Sequence, residues 1–537
     1  MSKLGLRSGT RQEMTESRRR AGQRGVVPGL FALAHCAMVA ALVAICLAAA
    51  PIAIAGKKDN SLRVADDQVL ENADPYFNNV RIGVILSHQV WDTLIYRDPK
   101  TNEYKGQLAT SWKWLDQKTL ELELRQDVKF HNGSGFDADD VVYTLNFVGK
   151  PENRVVTQSN VDWIDHAEKL DPYRVRIVTR RPFPAAIEYL AGPIVIHPHA
   201  YYAQVGPQGM NQKPVGSGPY RVVEHAVGKY IRLARNPDYF KDSPKPQPQI
   251  ENVELRFIPD RQTQVAEMLA GGLELIKNVP LDQAEQLRGA PSLQVVSSEI
   301  MRYAFLQMDS TDRTMAPQLK DIRVRKAIMH AIDRPAMVKS IVGEVAHVLN
   351  VPCFPSQFGC SDEAAPRYEY NPAKAKQLLA EAGYPGGFDI DLYGYRDRDQ
   401  LEAIIGYLHA VGIRANLRFV QYAAHRDAVR AGKAPLAVWT WGSFSINDVS
   451  AGVSVFHKFQ ADDTARDPEV RDLMERGDSV VDPQERKAAY TKALGLIAER
   501  AEVLPLYTIP TYYVAAKDLV FAAYPDEIPR FWEMHWK

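Results

Sequence analysis

The chain has 537 residues, too many for one hydrophobic core, and 46% apolar with 24% charged residues is the composition of a globular protein of two or three domains. Basic and acidic side chains balance at 65 each, but residues 1–24 hold seven of the bases against only Glu13 and Glu16. The remainder carries 58 basic and 63 acidic groups, a formal charge of −5, which leaves no basic stripe for nucleic-acid phosphates.

The basic leader runs into an apolar stretch from Leu30 to Ala55, ending Ala53-Ile54-Ala55. A basic segment, an apolar segment and a small-residue end make a secretory signal, with Gly56 as the first mature residue. A retained anchor helix is the alternative, since about twenty apolar residues span a bilayer. Pro51 breaks a helix just there and favours cleavage. Cys36 follows His35 and Cys46 follows Ile45, so neither has the small residue before it that lipoprotein processing needs. Two cysteines remain in the mature chain, Cys353 and Cys360 in CFPSQFGC. In an oxidising compartment they read as a small disulfide loop; no third cysteine or nearby histidine completes the rival zinc set.

Leu62–Ala65 reads as the first mature strand and Trp91–Tyr96 as a second apolar segment. Leu120, Leu122 and Leu124 alternate with Glu121, Glu123 and Arg125, a half-buried strand, and Val128 with Phe130 predicts a further short strand before the turn at Asn132-Gly133. Asp137 is a helix N-cap, Asp140 reaches back to it, and Val141, Leu145 and Val148 share one helix face. The three acids 137, 139 and 140 lack the ligand spacing of a calcium loop, so capping accounts for them. Residues 161–180 form a hairpin about Asp171-Pro172. The segment Gly216-Ser217-Gly218-Pro219-Tyr220 is no phosphate cradle, because Pro219 blocks a helix start and no Lys-Ser/Thr follows. Strands are expected at 250–258, Tyr303–Met308 and Val503–Tyr507, and helices at 262–269, 321–334 and from Pro372 to Gly383.

Several of these segments resemble the signature regions of the family 5 extracellular solute-binding proteins, the dipeptide- and oligopeptide-binding components of ABC importers. The resemblance is carried by Leu108-Ala109, Ser111-Trp112, Leu124-Arg125, Phe130-His131 and Ala138-Asp139-Asp140-Val141, then by the glycine-rich Gly216–Tyr220 with Arg235-Asn236-Pro237-Asp238-Tyr239. It continues through the helix from Asp321 to Arg334 and Tyr370-Asn371-Pro372, and spans about 60 to 510. It implies an α/β fold of two lobes with mixed sheets, an extra subdomain in lobe I, a hinge and a ligand cleft between the lobes. Lobe I would hold 56–306 and 504–537, and lobe II 307–503, after a signal peptide over 1–55. It further implies a monomeric periplasmic receptor that delivers a small solute to an inner-membrane ABC permease. Opines, oligosaccharides and nickel chelates are carried by relatives of this scaffold, and a secreted hydrolase on it is the competing class.

No G-x-S-x-G, H-E-x-x-H, P-loop or G-x-G-x-x-G occurs, so catalysis has no motif behind it and no cofactor or metal is indicated. His197-Pro198-His199 could hold a metal, but no carboxylate or third histidine completes it. The candidate binding surface is VWTWGSFSINDVSAGVS, Val438–Ser454. Trp439 and Trp441 alternate on a strand, with Trp441 expected toward the cleft, and Ser443, Phe444, Asn447 and Asp448 follow; Gln307, at the first lobe crossing, joins them. In peptide-binding members this region carries W-x-x-D, whose aspartate pairs with the ligand's α-amino group. The matching position here is Phe444, so the ligand is expected to be neutral or anionic at that end unless Asp448 takes the role.

Overall fold

The computed structural model describes residues 56–537, so the leader and its cleavage point lie outside the described part. Eighteen strands are β1 Ser61–Asp66, β2 Ile95–Arg97, β3 Tyr104–Gly106, β4 Ala109–Trp114, β5 Thr119–Leu124, β6 Ile164–Asp171, β7 Arg174–Thr179, β8 Tyr220–Ala226, β9 Tyr230–Arg235, β10 Asn252–Phe257, β11 Leu275–Ile276, β12 Leu293–Met308, β13 Phe388–Gly394, β14 Ile413–Phe419, β15 Leu436–Gly442, β16 Val503–Ala516, β17 Leu519–Val520 and β18 His535–Trp536. Ten of them form one mixed sheet in the order β14-β13-β15-β12-β16-β11-β1-β10-β9-β8. Its spine is the antiparallel pair β12 and β16, whose register runs from Leu293↔Ala516 to Gln307↔Val503 with irregularities between Ile300 and Phe305. Both strands are far longer than the apolar runs Tyr303–Met308 and Val503–Tyr507 suggested, because their outer halves, which lack a period-2 pattern, pair with each other from Leu293↔Ala516 to Ile300↔Ile509.

A separate four-stranded antiparallel sheet, β4-β5-β7-β6, is covered by the helix Ala138–Val148. Asp137 caps that helix and Asp140 returns a bond to the Asp137 backbone, a complete capping box. Val128 and Phe130 are buried but form no strand; Phe130 N–H donates to the Ser134 carbonyl and the chain turns at once. Gly216 and Gly218 press on the backbone carbonyls of Val90 and Gln89, where a Cβ would come within 2.1 and 2.6 Å. Between them the Ser217 hydroxyl donates to the buried Asp92 carboxylate, which also pairs with the Lys245 ammonium at 2.9 Å. Close backbone approach and a buried ion pair thus explain the glycine-rich segment.

Buried apolar side chains gather into distinct cores. The largest includes Leu62, Trp91, Leu122, Val141 and Trp163; two others, around Ile328 and Leu392 and around Phe305 and Trp439, use mostly residues between β12 and β16 in sequence. One side chain breaks that division: Ile446 belongs to the first core although its neighbours in sequence belong to the third. No helix among the described residues is long and apolar enough to cross a membrane.

Candidate functional site

β15 ends at Gly442, and the loop Ser443–Asp448 that follows docks on elements from residues 81 to 192 and 526. Phe444 and Ser445 both have positive φ, 53° and 71°. A bulky residue in that region is strained, at about 1–3 kcal/mol per residue, and persists only where its surroundings fix it. Here they do. The Arg81 guanidinium donates to Ser445 Oγ at 2.7 Å, Ser445 Oγ donates to the Asp526 carbonyl at 2.6 Å, and Arg97 donates to the Ser445 carbonyl at 3.2 Å. Glu188, buried, accepts the Asn447 backbone N–H at 2.7 Å, Arg97 Nε at 3.2 Å and the Tyr104 hydroxyl at 2.8 Å. Burial raises the Glu188 carboxyl and Arg97 opposes it. The Asn447 carboxamide donates to Asn102, and Ile446 packs beside Gly192.

The disulfide loop supports this segment from the other side. Cys353 and Cys360 are bridged with Cα atoms 5.8 Å apart. Within their loop Gln357 donates to Ser443 Oγ and to the Ile446 carbonyl, Ser356 donates to Asn447 Oδ1, and Phe358 N–H donates to the Asn447 carbonyl.

Space opens on several sides of the loop. Phe444, 64% exposed, lines both a cavity of about 590 Å³ shared with Trp441, Ser443, Arg181 and Lys458, and a tighter one of about 100 Å³ shared with His88, Arg97 and Trp532. Burial, with the nearby Lys245 and Arg530 charges, lowers the His88 imidazole to about 3, so it is neutral there. A third cavity, about 310 Å³, sits next to the irregular stretch of the β12–β16 pairing and is lined by Asn278, Arg302, Arg396, Thr511, Tyr512 and Glu527. The Arg302 side chain lies across Gly442, its cross-strand partner at the root of the loop.

Three of the sequence candidates fall on these walls: Trp441, Ser443 and Phe444. Asn447 holds the loop through the contacts given above. The other three are engaged by partners away from these walls. Trp439 is fully buried and donates its indole N–H to Gln307 Oε1 at 2.9 Å, while Gln307 donates to the Asp462 carbonyl, so both are committed to the core behind the strand. Asp448 is buried and paired with Arg486 at 3.0 Å, and it caps the turn Val449–Ala451 through Ser450 N–H. Desolvation lowers the Arg486 guanidinium, but Asp448 outweighs this and holds it above its ordinary value. Asp448 lines none of the cavities described above, and its carboxylate faces Arg486 and Ser450. Sequence reasoning missed Arg81, Arg97 and Glu188, which only the fold brings to the loop 443–448, and Asn278, which lines the cavity beside Arg302. Arg302 left a signal: a cation within an otherwise buried apolar strand, IMRYAFLQM.

The description "Bacterial extracellular solute-binding proteins, family 5 Middle" matches residues 103–463. The glutathione-binding protein GsiB of Pectobacterium atrosepticum is 28% identical over 74% of this chain and 75% of its own, and GsiB of Escherichia coli K12 is 26% identical over 90% and 96%. Among solved structures, HbpA2 from Haemophilus parasuis superposes with a TM-score of 0.78 at 24% identity, covering 89% of this chain and all of that one. Likeness at that identity establishes the fold, the two-lobed α/β architecture of periplasmic binding proteins. With the family match covering residues 103–463, most of the described chain, the protein belongs to family 5 of the bacterial extracellular solute-binding proteins.

Proposed function

We propose that the protein captures a small peptide-like solute in the space around Phe444 and hands it to an ABC permease of the inner membrane. The solute enters between a lobe of residues 56–306 with 504–537 and a lobe of 307–503, which pivot on β12 and β16. Export depends on the leader, cut after Ala55, and the mature chain works as a periplasmic monomer. Trp441, Ser443 and Phe444 contact the solute, Asn447 fixes the loop that presents them, and no catalytic group takes part. The observation that carries this reading is the strained Phe444–Ser445 backbone, held over open space by side chains from distant parts of the chain. The relatives named as glutathione-binding proteins make glutathione and short peptides the first solutes to test.

Calorimetry on the mature chain with glutathione and a di- and tripeptide panel tests the reading, with one-to-one binding expected. Because Phe444 stands where an acid would hold an α-amino group, N-acetylated peptides should bind as well as free ones. Binding that vanishes on N-acetylation would show that another acid serves as the anchor. Absence of any binding across the panel would remove the peptide-like assignment.

A further inference from the structure

Resting on the reading of this region as the solute cleft, we propose that Arg302 receives a carboxylate of the solute, with Arg396 and Asn278 beside it, in the cavity next to the irregular stretch of the β12–β16 pairing. The charged groups that line that cavity are Arg302, Arg396 and Glu527; Arg81 and Asp397, outside its lining, pair with two of them. Arg81 pairs with Glu527 at 3.1 Å and Arg396 with Asp397 at 2.7 Å. Arg302 pairs with neither: its guanidinium makes no ion pair and no hydrogen bond among the described residues, and Glu527 is the acid whose charge favours it. Burial lowers it from its ordinary value, so it lies in a poorly solvated place without a partner. An uncompensated, half-buried guanidinium is costly to keep, and structural arginines elsewhere in this chain avoid the cost: Arg325 and Arg334, for example, each donate to several backbone carbonyls.

The surroundings fit one planar monoanion. The guanidinium presents a rigid fork suited to bidentate carboxylate binding. Asn278 holds positive φ, 55°, and its Oδ1 accepts the Thr511 hydroxyl, which leaves its carboxamide N–H groups free to donate. The excess of one positive charge matches a single carboxylate and disfavours a phosphate dianion. Asp282, Asp397 and Asp399 line the adjoining cavity and set a negative rim against a second anion. Because Arg302 lies over Gly442, a carboxylate held there adjoins the Ser443–Asp448 loop and couples this subsite to the one lined by Phe444.

The test compares the mature chain with Arg302→Gln and Arg302→Lys by calorimetry. The probes are glutathione, glutathione diethyl ester, trialanine, trialanine amide and succinate. The expected result is that at least one free acid binds the wild type, its blocked form binds at least ten-fold more weakly, Arg302→Gln loses about 10- to 100-fold for the acid, and Arg302→Lys loses less. Because Arg302 makes no internal bond, Arg302→Gln should leave the melting temperature of the unliganded protein unchanged or higher. Blocked forms binding as tightly as acids, an Arg302→Gln affinity equal to wild type, no binding by any acid probe, or a marked loss of melting temperature would each overturn the inference. The two readings fail separately. Succinate binding through Arg302 without any peptide binding keeps this site and refutes the peptide-like solute, whereas trialanine amide binding equal to trialanine does the reverse.

Discussion

Glu188 joins the docked loop to the rest of the cleft, and its removal should loosen that loop before it loosens the fold. One of its carboxylate oxygens accepts both the Asn447 amide and Arg97 Nε, and the other accepts the Tyr104 hydroxyl. In Glu188→Ala the buried Asn447 N–H loses a charged acceptor, worth about 1.5–3 kcal/mol, and Arg97 loses its counter-charge. Breaking a buried pair from one side costs about 3–5 kcal/mol in all. The first part acts on loop docking and corresponds to about 10- to 150-fold faster amide exchange in the segment 443–449. Glu188→Gln keeps an acceptor for Asn447 and should accelerate exchange much less. Hydrogen exchange read by mass spectrometry resolves the segment. If exchange there is unchanged in Glu188→Ala while the urea midpoint falls, Glu188 supports only its own core and does not hold the loop.

Phe444→Gly relieves the positive φ, so the melting temperature should rise, by about 1 kcal/mol of stability, while solute affinity drops with the lost ring; calorimetry and a thermal scan separate the two. Burial would raise the Asp526 carboxyl, but the Arg530 guanidinium overcomes this and holds it at about 2, below its ordinary value. Its stabilisation is therefore complete above about pH 4 and lost as pH falls toward 2, and Asp526→Asn should flatten that limb of urea midpoints by about 2 kcal/mol. Replacing Cys353 and Cys360 by serine opens a loop of sequence separation 7 and should cost about 2.5 kcal/mol in denaturant melts. Since Gln357 and Ser356 within that loop brace Ser443 and Asn447, the same double variant should also bind solute more weakly.

Much of the secondary structure was legible, because periodicity and capping act locally: the Asp137 cap, the 161–180 hairpin and the Asp321-capped helix lie where their residues place them. Val128 and Phe130 misled, since two alternating residues satisfy a strand pattern while a turn beginning at Phe130 takes their hydrogen bonds. The site was half legible. Two tryptophans on one strand carry no mark of which faces solvent, and the partner that buries Trp439 comes from residue 307. Asp448 looked free because Arg486 lies 38 residues away. Glu188 and Arg97 reach Asn447 and Ser445 only after the chain has folded back across about 260 to 350 positions. Arg302 is the exception, a charge whose oddity in an apolar strand is visible before folding.

Native mass spectrometry of the mature protein, mixed with a peptide and organic-acid panel and sampled over hours, tests the central claim most directly. The account predicts one small acid bound per chain, with every panel component remaining at its starting concentration apart from that single equivalent. Loss of any component well beyond one equivalent, with products appearing, would contradict it and make the protein an enzyme on this scaffold.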